Sequence, residues 1–220
     1  MSELHIIWDL DGTLIDSEEE VMEALVRAVR SAGLSEKEQS APFRVGPTID
    51  RMLDAALSPE VLTAQKKKEI ISAFRKEYDN CGFCNTRPFP GIEEILADRN
   101  IVHHIVTNKP DLATGRILEK LGWKLFFLSV VTPYSFMTSP DDKKKTKTEL
   151  FSICMAPYKG SRFVGIGDMK TDAIAAKEAG IPAIGVLWGT GTKEELEICD
   201  KTFADARELQ KYLTELQKSL

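Results

Sequence analysis

Positive charge is in short supply in this 220-residue chain: 29 Lys and Arg stand against 34 Asp and Glu, a net charge of -5. That balance argues against a nucleic-acid surface, which carries a basic field. It leaves room for a small anionic ligand held by a few local cations. Long apolar runs are missing too; none approaches the roughly 18 residues that span a bilayer, so no membrane partner is expected. The opening Met1-Ser2-Glu3-Leu4-His5 lacks the basic start and apolar core of a signal peptide. Cysteine is limited to Cys81, Cys84, Cys154 and Cys199. With no sign of export, reduced thiols and a cytoplasmic setting are expected. There are three histidines, none at an expected strand end, which disfavours zinc hydrolysis. No internal repeat or low-complexity linker is visible.

Two of the cysteines, in Cys81-Gly82-Phe83-Cys84, have CxxC spacing. A structural zinc site needs a second ligand pair at similar spacing, and the chain has none. A redox pair would open a helix after a strand, whereas this stretch is turn-like and precedes Pro88. On sequence alone these are incidental loop thiols. The charged run Gln65-Lys66-Lys67-Lys68-Glu69 reads as a solvated helix face.

What is present is a rhythm. Apolar runs at 4–8, 101–106, 125–131, 162–166 and 183–187 read as buried strands. Helical patterns lie between them at 91–98, 111–121, 147–154 and 172–179, with Gly122 and Gly180 at helix stops. Strands alternating with helices imply right-handed βαβ units and a mostly parallel, doubly wound α/β sheet. The stretch 16–85 breaks the rhythm: helices are expected at 18–32, 48–56 and 58–78, and no strand-length β-branched run occurs. The expected organisation is an α/β core, residues 1–15 and 86–220, with a helical cap over 16–85.

Ligands of open parallel sheets bind beyond the carboxyl ends of the strands. The first strand ends in Asp9-Leu10-Asp11-Gly12-Thr13-Leu14 and the second in Thr107-Asn108-Lys109. The fourth ends in Gly167-Asp168-Met169-Lys170-Thr171-Asp172, and a lysine-rich segment, 143–147, precedes the helix leading into it. Carboxylates packed together raise each other's pKa unless a cation neutralises them. An all-oxygen ligand set suits Mg²⁺. Beside a lysine and a hydroxyl, such a centre can receive a phosphoryl group, and a carboxylate nucleophile can carry it covalently.

These motifs resemble the haloacid dehalogenase superfamily in its helical-cap phosphatase branch, over nearly the whole chain. Asp9-Leu10-Asp11-Gly12-Thr13-Leu14 matches the DxDGT(L/V) loop, Val106-Thr107-Asn108-Lys109-Pro110 looks like the second motif, and Gly167-Asp168 with Asp172 fits GDxxxD. Arg87-Pro88-Phe89-Pro90-Gly91 is similar to the re-entry from cap to core. Trp188-Gly189-Thr190-Gly191-Thr192 with Glu195-Leu196 resembles the loop after the last core strand. The resemblance implies that Asp9 attacks phosphorus and that Asp11 first protonates the leaving oxygen and then activates water. It implies that Thr107 and Asn108 hold phosphoryl oxygens. Asp9, the carbonyl of Asp11 and Asp168 would bind Mg²⁺, with Asp172 supporting the metal shell.

The third motif departs from the common Lys-Pro-x-Pro. In Ser139-Pro140-Asp141-Asp142-Lys143-Lys144-Lys145-Thr146-Lys147-Thr148-Glu149, Lys147 is favoured because a helix pattern follows it, and Lys145 competes. Arg44, in the first cap turn with Gly46 and Thr48, and Lys109 are candidates for contact with the substrate. The expected partner is a small phosphorylated metabolite, the expected state a monomer or weak dimer. Phosphoglycolate, a 5′-nucleotide, a sugar phosphate and pyrophosphate all stay open as substrates. Asp11 speaks against a dehalogenase and the absence of histidine from 16–24 against a sugar-phosphate mutase; a silent phosphate-binding module would have no chemical need for Asp9, Asp11 and Asp168 together.

Overall fold

The computed structural model of the chain describes residues 3–46, 48–135 and 143–219. Met1, Ser2, Pro47 and 139–142, the start of the third-motif stretch, lie outside the described residues. The contacts divide into two compact units, Met1–Asp16 with Arg87–Leu220, and Ser17–Thr86.

The first unit opens with β1 (Leu4–Trp8), every residue of which is buried. A strand covered on both faces has no solvent side, so its sequence runs apolar without alternation. The chain then forms a two-residue strand, β2 (Ile15–Asp16), and leaves for the helical unit.

That unit contains α1 (Glu18–Ser31), α2 (Ile49–Ala56) and α3 (Ala64–Tyr78). On α1, Val21, Ala24, Leu25, Ala28 and Val29 are buried, the i, i+3, i+4, i+7 stripe of an amphipathic helix. This helix packs against α3, whose Ile70, Phe74 and Tyr78 are buried. The helix expected from Ser58 begins instead at Ala64: the Thr63 hydroxyl accepts the Lys66 N–H at 3.2 Å and caps it there.

Back in the first unit, β3 (Arg87–Pro88) pairs antiparallel with β2. There follow α4 (Ile92–Leu96), β4 (Ile101–Val106), α5 (Asp111–Lys120) and β5 (Phe127–Val131). Next come α6 (Lys147–Met155), β6 (Arg162–Gly167), α7 (Lys170–Glu178) and β7 (Ala183–Val186). A short edge strand, β8 (Lys201–Phe203), and α8 (Ala206–Lys218) close the chain. The third strand starts at Phe127 rather than Leu125, because Leu125 sits in a turn, 90% exposed. The β2–β3 ribbon, β8 and α8 were not expected.

The six-stranded sheet runs β5-β4-β1-β6-β7-β8 with every pairing parallel. The fold is therefore a doubly wound α/β sheet. The chain winds outward from β1 in one direction through β4 and β5, then in the other through β6 to β8. The reversal beside β1 is the topological switch point, where crossover loops part and leave a crevice at the strands' carboxyl ends. Trp8 lies opposite Ile105 on one neighbour and Ile166 on the other, so the residues after all three reach that edge at one level.

Candidate active site

The first carboxylate is held by backbone. Asp9 extends the ladder one residue past β1, its N–H donating to the Ile166 carbonyl at 2.9 Å. The chain then turns sharply: Leu14 and Ile15 donate to the Leu10 carbonyl at 2.9 and 3.1 Å, and Gly12 to that of Ile15 at 2.9 Å. Gly12 has φ +75°, and a Cβ on it would overlap the Asp168 carboxylate. Both the left-handed backbone and the close approach require glycine there.

Asp168, fully buried after β6, is fixed by neighbours from two loops. The Thr13 hydroxyl donates to Oδ1 at 3.2 Å. The Thr190 N–H and hydroxyl donate to Oδ2 at 2.8 and 3.1 Å. Trp188 Nε1–H in turn donates to the Thr13 carbonyl at 3.0 Å, tying the two loops together. Side chains at Gly189 or Gly191 would run into Asp168. Neither Thr190, in the 188–192 loop, nor Thr13 has a role expected from the motifs. The spacing Trp-Gly-Thr-Gly-Thr after a strand is the signal that could have found them.

Asp172 stands in the first turn of α7, where its Oδ2 accepts the Met169 N–H at 2.9 Å, a favourable place for a negative charge. Lys147 is the first residue of α6, set by a reciprocal cap in which Thr146 and Glu149 exchange side-chain and backbone hydrogen bonds. Its ammonium, on a side chain 7% exposed, lies 2.9 Å from Asp9 Oδ1 and pairs also with Asp172 Oδ1. No hydrogen-bond donor satisfies either of those oxygens otherwise among the described residues.

Asp9, Asp168 and Asp172 each offer an oxygen within 4.8 Å of the others. Burial raises the Asp9 carboxyl to about 7, Lys147 pulling it back and Asp172 pushing it further up. Burial and the Asp9 charge raise Asp168 to about 6, and burial also raises Asp172. Lys147 is held above its ordinary value because Asp172 and Asp9 outweigh the burial that would lower it. One ammonium cannot balance three buried carboxylates. The surplus negative charge, the under-bonded oxygens and the oxygen-only donor set fit a hard divalent cation.

The other expected site residues separate into those at this edge and one in the other unit. Asp11, 28% exposed at its side chain, pairs with Lys109 at 3.0 Å. The Lys109 side chain is 5% exposed, so a residue expected to face the substrate is engaged with a second candidate catalytic group. Thr107 is buried after β4, and its hydroxyl accepts the Lys109 N–H at 3.1 Å. Asn108 is half-buried beside it. Of the two lysines left open, Lys147 bears the ion pairs, and Lys145 lies half-buried two residues upstream. Arg44 is exposed in the segment before α2, in the helical unit.

The sequence model of haloacid dehalogenase-like hydrolases matches residues 6–186. A phosphoglycolate phosphatase of Photorhabdus laumondii is 30% identical over 204 residues, covering 88% of this chain and 84% of that protein. A protein of the same name from Aquifex aeolicus is 29% identical, covering 94% and 95%. Among solved structures, a haloacid dehalogenase-like family hydrolase from Streptococcus pneumoniae superposes with TM-score 0.79 at 22% identity, covering 95% of this chain and 97% of that one, a likeness of fold.

Proposed function

Since the chain belongs to the haloacid dehalogenase-like hydrolase family and is a phosphatase, we propose that it hydrolyses a small phosphate monoester through an aspartyl-phosphate on Asp9. The observation that carries this reading is the convergence of Asp9, Asp168 and Asp172 on the buried Lys147. Phosphoglycolate is the first substrate to test, since curated relatives across most of the chain bear that name. The four free cysteines suit a cytoplasmic setting. No helix among the described residues is long and apolar enough to cross a membrane. The candidate catalytic side chains all come from one chain, in keeping with a monomer or weak dimer.

Asp9 Oδ attacks phosphorus, and the ester oxygen leaves. Lys147 stays charged and offsets the negative charge that gathers on the transferred oxygens. Thr107 and Asn108 donate to the same group. Asp11 gives its proton to the leaving oxygen and afterwards takes one from the water that cleaves the aspartyl-phosphate. Lys109 holds the Asp11 side chain, and Arg44 is the candidate for a second anionic group on the substrate. Mg²⁺ would be held by Asp9, Asp168 and the Asp11 carbonyl, with Asp172 in support. It would supply charge neutralisation that lets the three carboxylates ionise together, and electrophilic assistance at phosphorus.

The test is phosphate release from phosphoglycolate, nucleoside monophosphates, sugar phosphates, pyrophosphate and a chromogenic ester, each with Mg²⁺ and with excess chelator. Metal-dependent release that disappears in Asp9→Asn supports the reading. Release that survives Asp9→Asn removes the covalent step, and isomerised sugar phosphate without free phosphate points to a mutase.

A further inference from the structure

The helical unit ends in a segment that phosphoryl transfer does not use. After α3, the Cys81 N–H donates to the Tyr78 carbonyl at 3.3 Å. The chain then reverses through two consecutive left-handed residues, Gly82 at φ +80° and Phe83 at φ +54°. Left-handed backbone is strained for a bulky residue. Phe83 is held there by its ring, which is 2% exposed and edge-on to Tyr78 at 5.3 Å.

Successive positive φ angles are the mark of a tight reversal, in which flanking Cα atoms come within about 7 Å. A disulfide needs a separation of about 4.4–6.8 Å. The side chains follow the same sense. Cys84 Sγ lies 3.8 Å from the position of a Cβ on Gly82, so the sulfur is folded back over the residue that follows Cys81.

The two thiols are unequal. Cys84 is exposed, and Cys81 is half-buried, near the Glu20 charge. Glu20, itself 5% exposed, accepts from the Asn85 N–H at 3.4 Å, the Thr86 N–H at 3.1 Å and the Thr86 hydroxyl. Burial and the Glu20 charge push the Cys81 thiol up. Burial pushes Cys154 and Cys199 up as well, to about 11, and neither lies in this segment. An accessible thiol thus stands beside a more protected one.

We propose that Cys81 and Cys84 form a dithiol–disulfide site for low-molecular-weight disulfides, with Cys84 attacking and Cys81 resolving. The Cys84 thiolate attacks one sulfur of the reagent; the reagent's S–S bond breaks, one thiolate leaves and a mixed disulfide remains. Cys81 Sγ loses its proton to solvent and attacks Cys84 Sγ, and the second reagent thiolate departs. The protein gives up two electrons and two protons, and the reagent leaves as two thiols. The new bond closes the segment that leads out of the helical unit.

The experiment incubates the reduced full-length chain with oxidised glutathione and counts thiols after denaturation. The count should fall from four to two, and reductant should restore it. Digestion with trypsin should yield one peptide, Glu77–Arg99, that contains both cysteines and has lost one hydrogen from each. In Cys81→Ser the glutathione should remain on Cys84, and Cys84→Ser should keep all its thiols. A wild-type chain that retains four thiols, or that carries a lasting glutathione adduct on Cys84 without the internal bond, overturns the proposal. The wild-type readout decides this without either variant, and phosphatase activity plays no part in it.

Discussion

Replacing Asp9 with asparagine should make the chelator-treated protein more stable at pH 8 while removing turnover. Asp9 is 12% exposed at its side chain, and its carboxyl titrates near 7 against an ordinary value of 3.8. A raised acid costs the folded state stability as pH climbs from the unfolded value to the folded one, and the full cost is reached above about 7. About three pH units at ~1.36 kcal/mol each give about 4 kcal/mol. The three carboxylates share their protons, so a gain of about 2–4 kcal/mol is expected at pH 8. At pH 4 Asp9 is protonated in the folded state and roughly 40% protonated in the unfolded one, so the gain should shrink below about 1 kcal/mol. Urea titrations of both chains in chelator at the two pH values measure this. With an unchanged slope, the pH 8 midpoint should rise by about 1 M or more. An asparagine chain equal to or weaker than wild type at pH 8 would refute the picture of a surplus buried charge.

Three further outcomes are expected. Lys147→Ala should lower kcat by about 10²–10³, since it removes a charge aimed at the transferred group, while Lys145→Ala should stay near wild type; steady-state rates compare the two. Lys109→Met should lower kcat with little change in KM, as a positioning residue for Asp11 would; a raised KM at constant kcat would return Lys109 to the substrate-binding set. His103, buried on β4 with its Nδ1 accepting the Trp8 indole N–H at 3.0 Å, is lowered by burial to about 4. A lowered histidine contributes stability that is full above about 6.5 and is lost as pH falls toward 4. Between pH 7 and 5 wild type should therefore lose about 2 kcal/mol more than His103→Gln, read by denaturant titration; equal losses would show that the imidazole does not titrate on unfolding.

Much of the sheet was legible because burial imposes its own pattern. Leu4–Trp8 and Ile101–Val106 have no solvent face, and their apolar runs end where the sheet ends. β8 was illegible: Lys201-Thr202-Phe203 is a three-residue edge strand, polar and largely exposed. Its place is set by pairing with β7 and not by local propensity. The start of α3 at Ala64 depended on which hydroxyl captured a backbone N–H, a local competition that periodicity does not resolve.

The amino-acid order by itself determined which chemical groups could meet. Asp9, Asp11, Thr107, Asn108, Asp168 and Asp172 each follow a strand or open the helix after it, and parallel topology carries all such positions to one edge. What those groups do to one another was left to tertiary structure. Lys147 faces Asp9 and Asp172, Lys109 faces Asp11, and two threonines from separate loops grip Asp168. The physical reason is range: strand and helix signals act over a few residues, whereas these pairings join positions up to 155 apart across β1 and its neighbours. Their strength comes from burial, which exists only once the chain has closed around them.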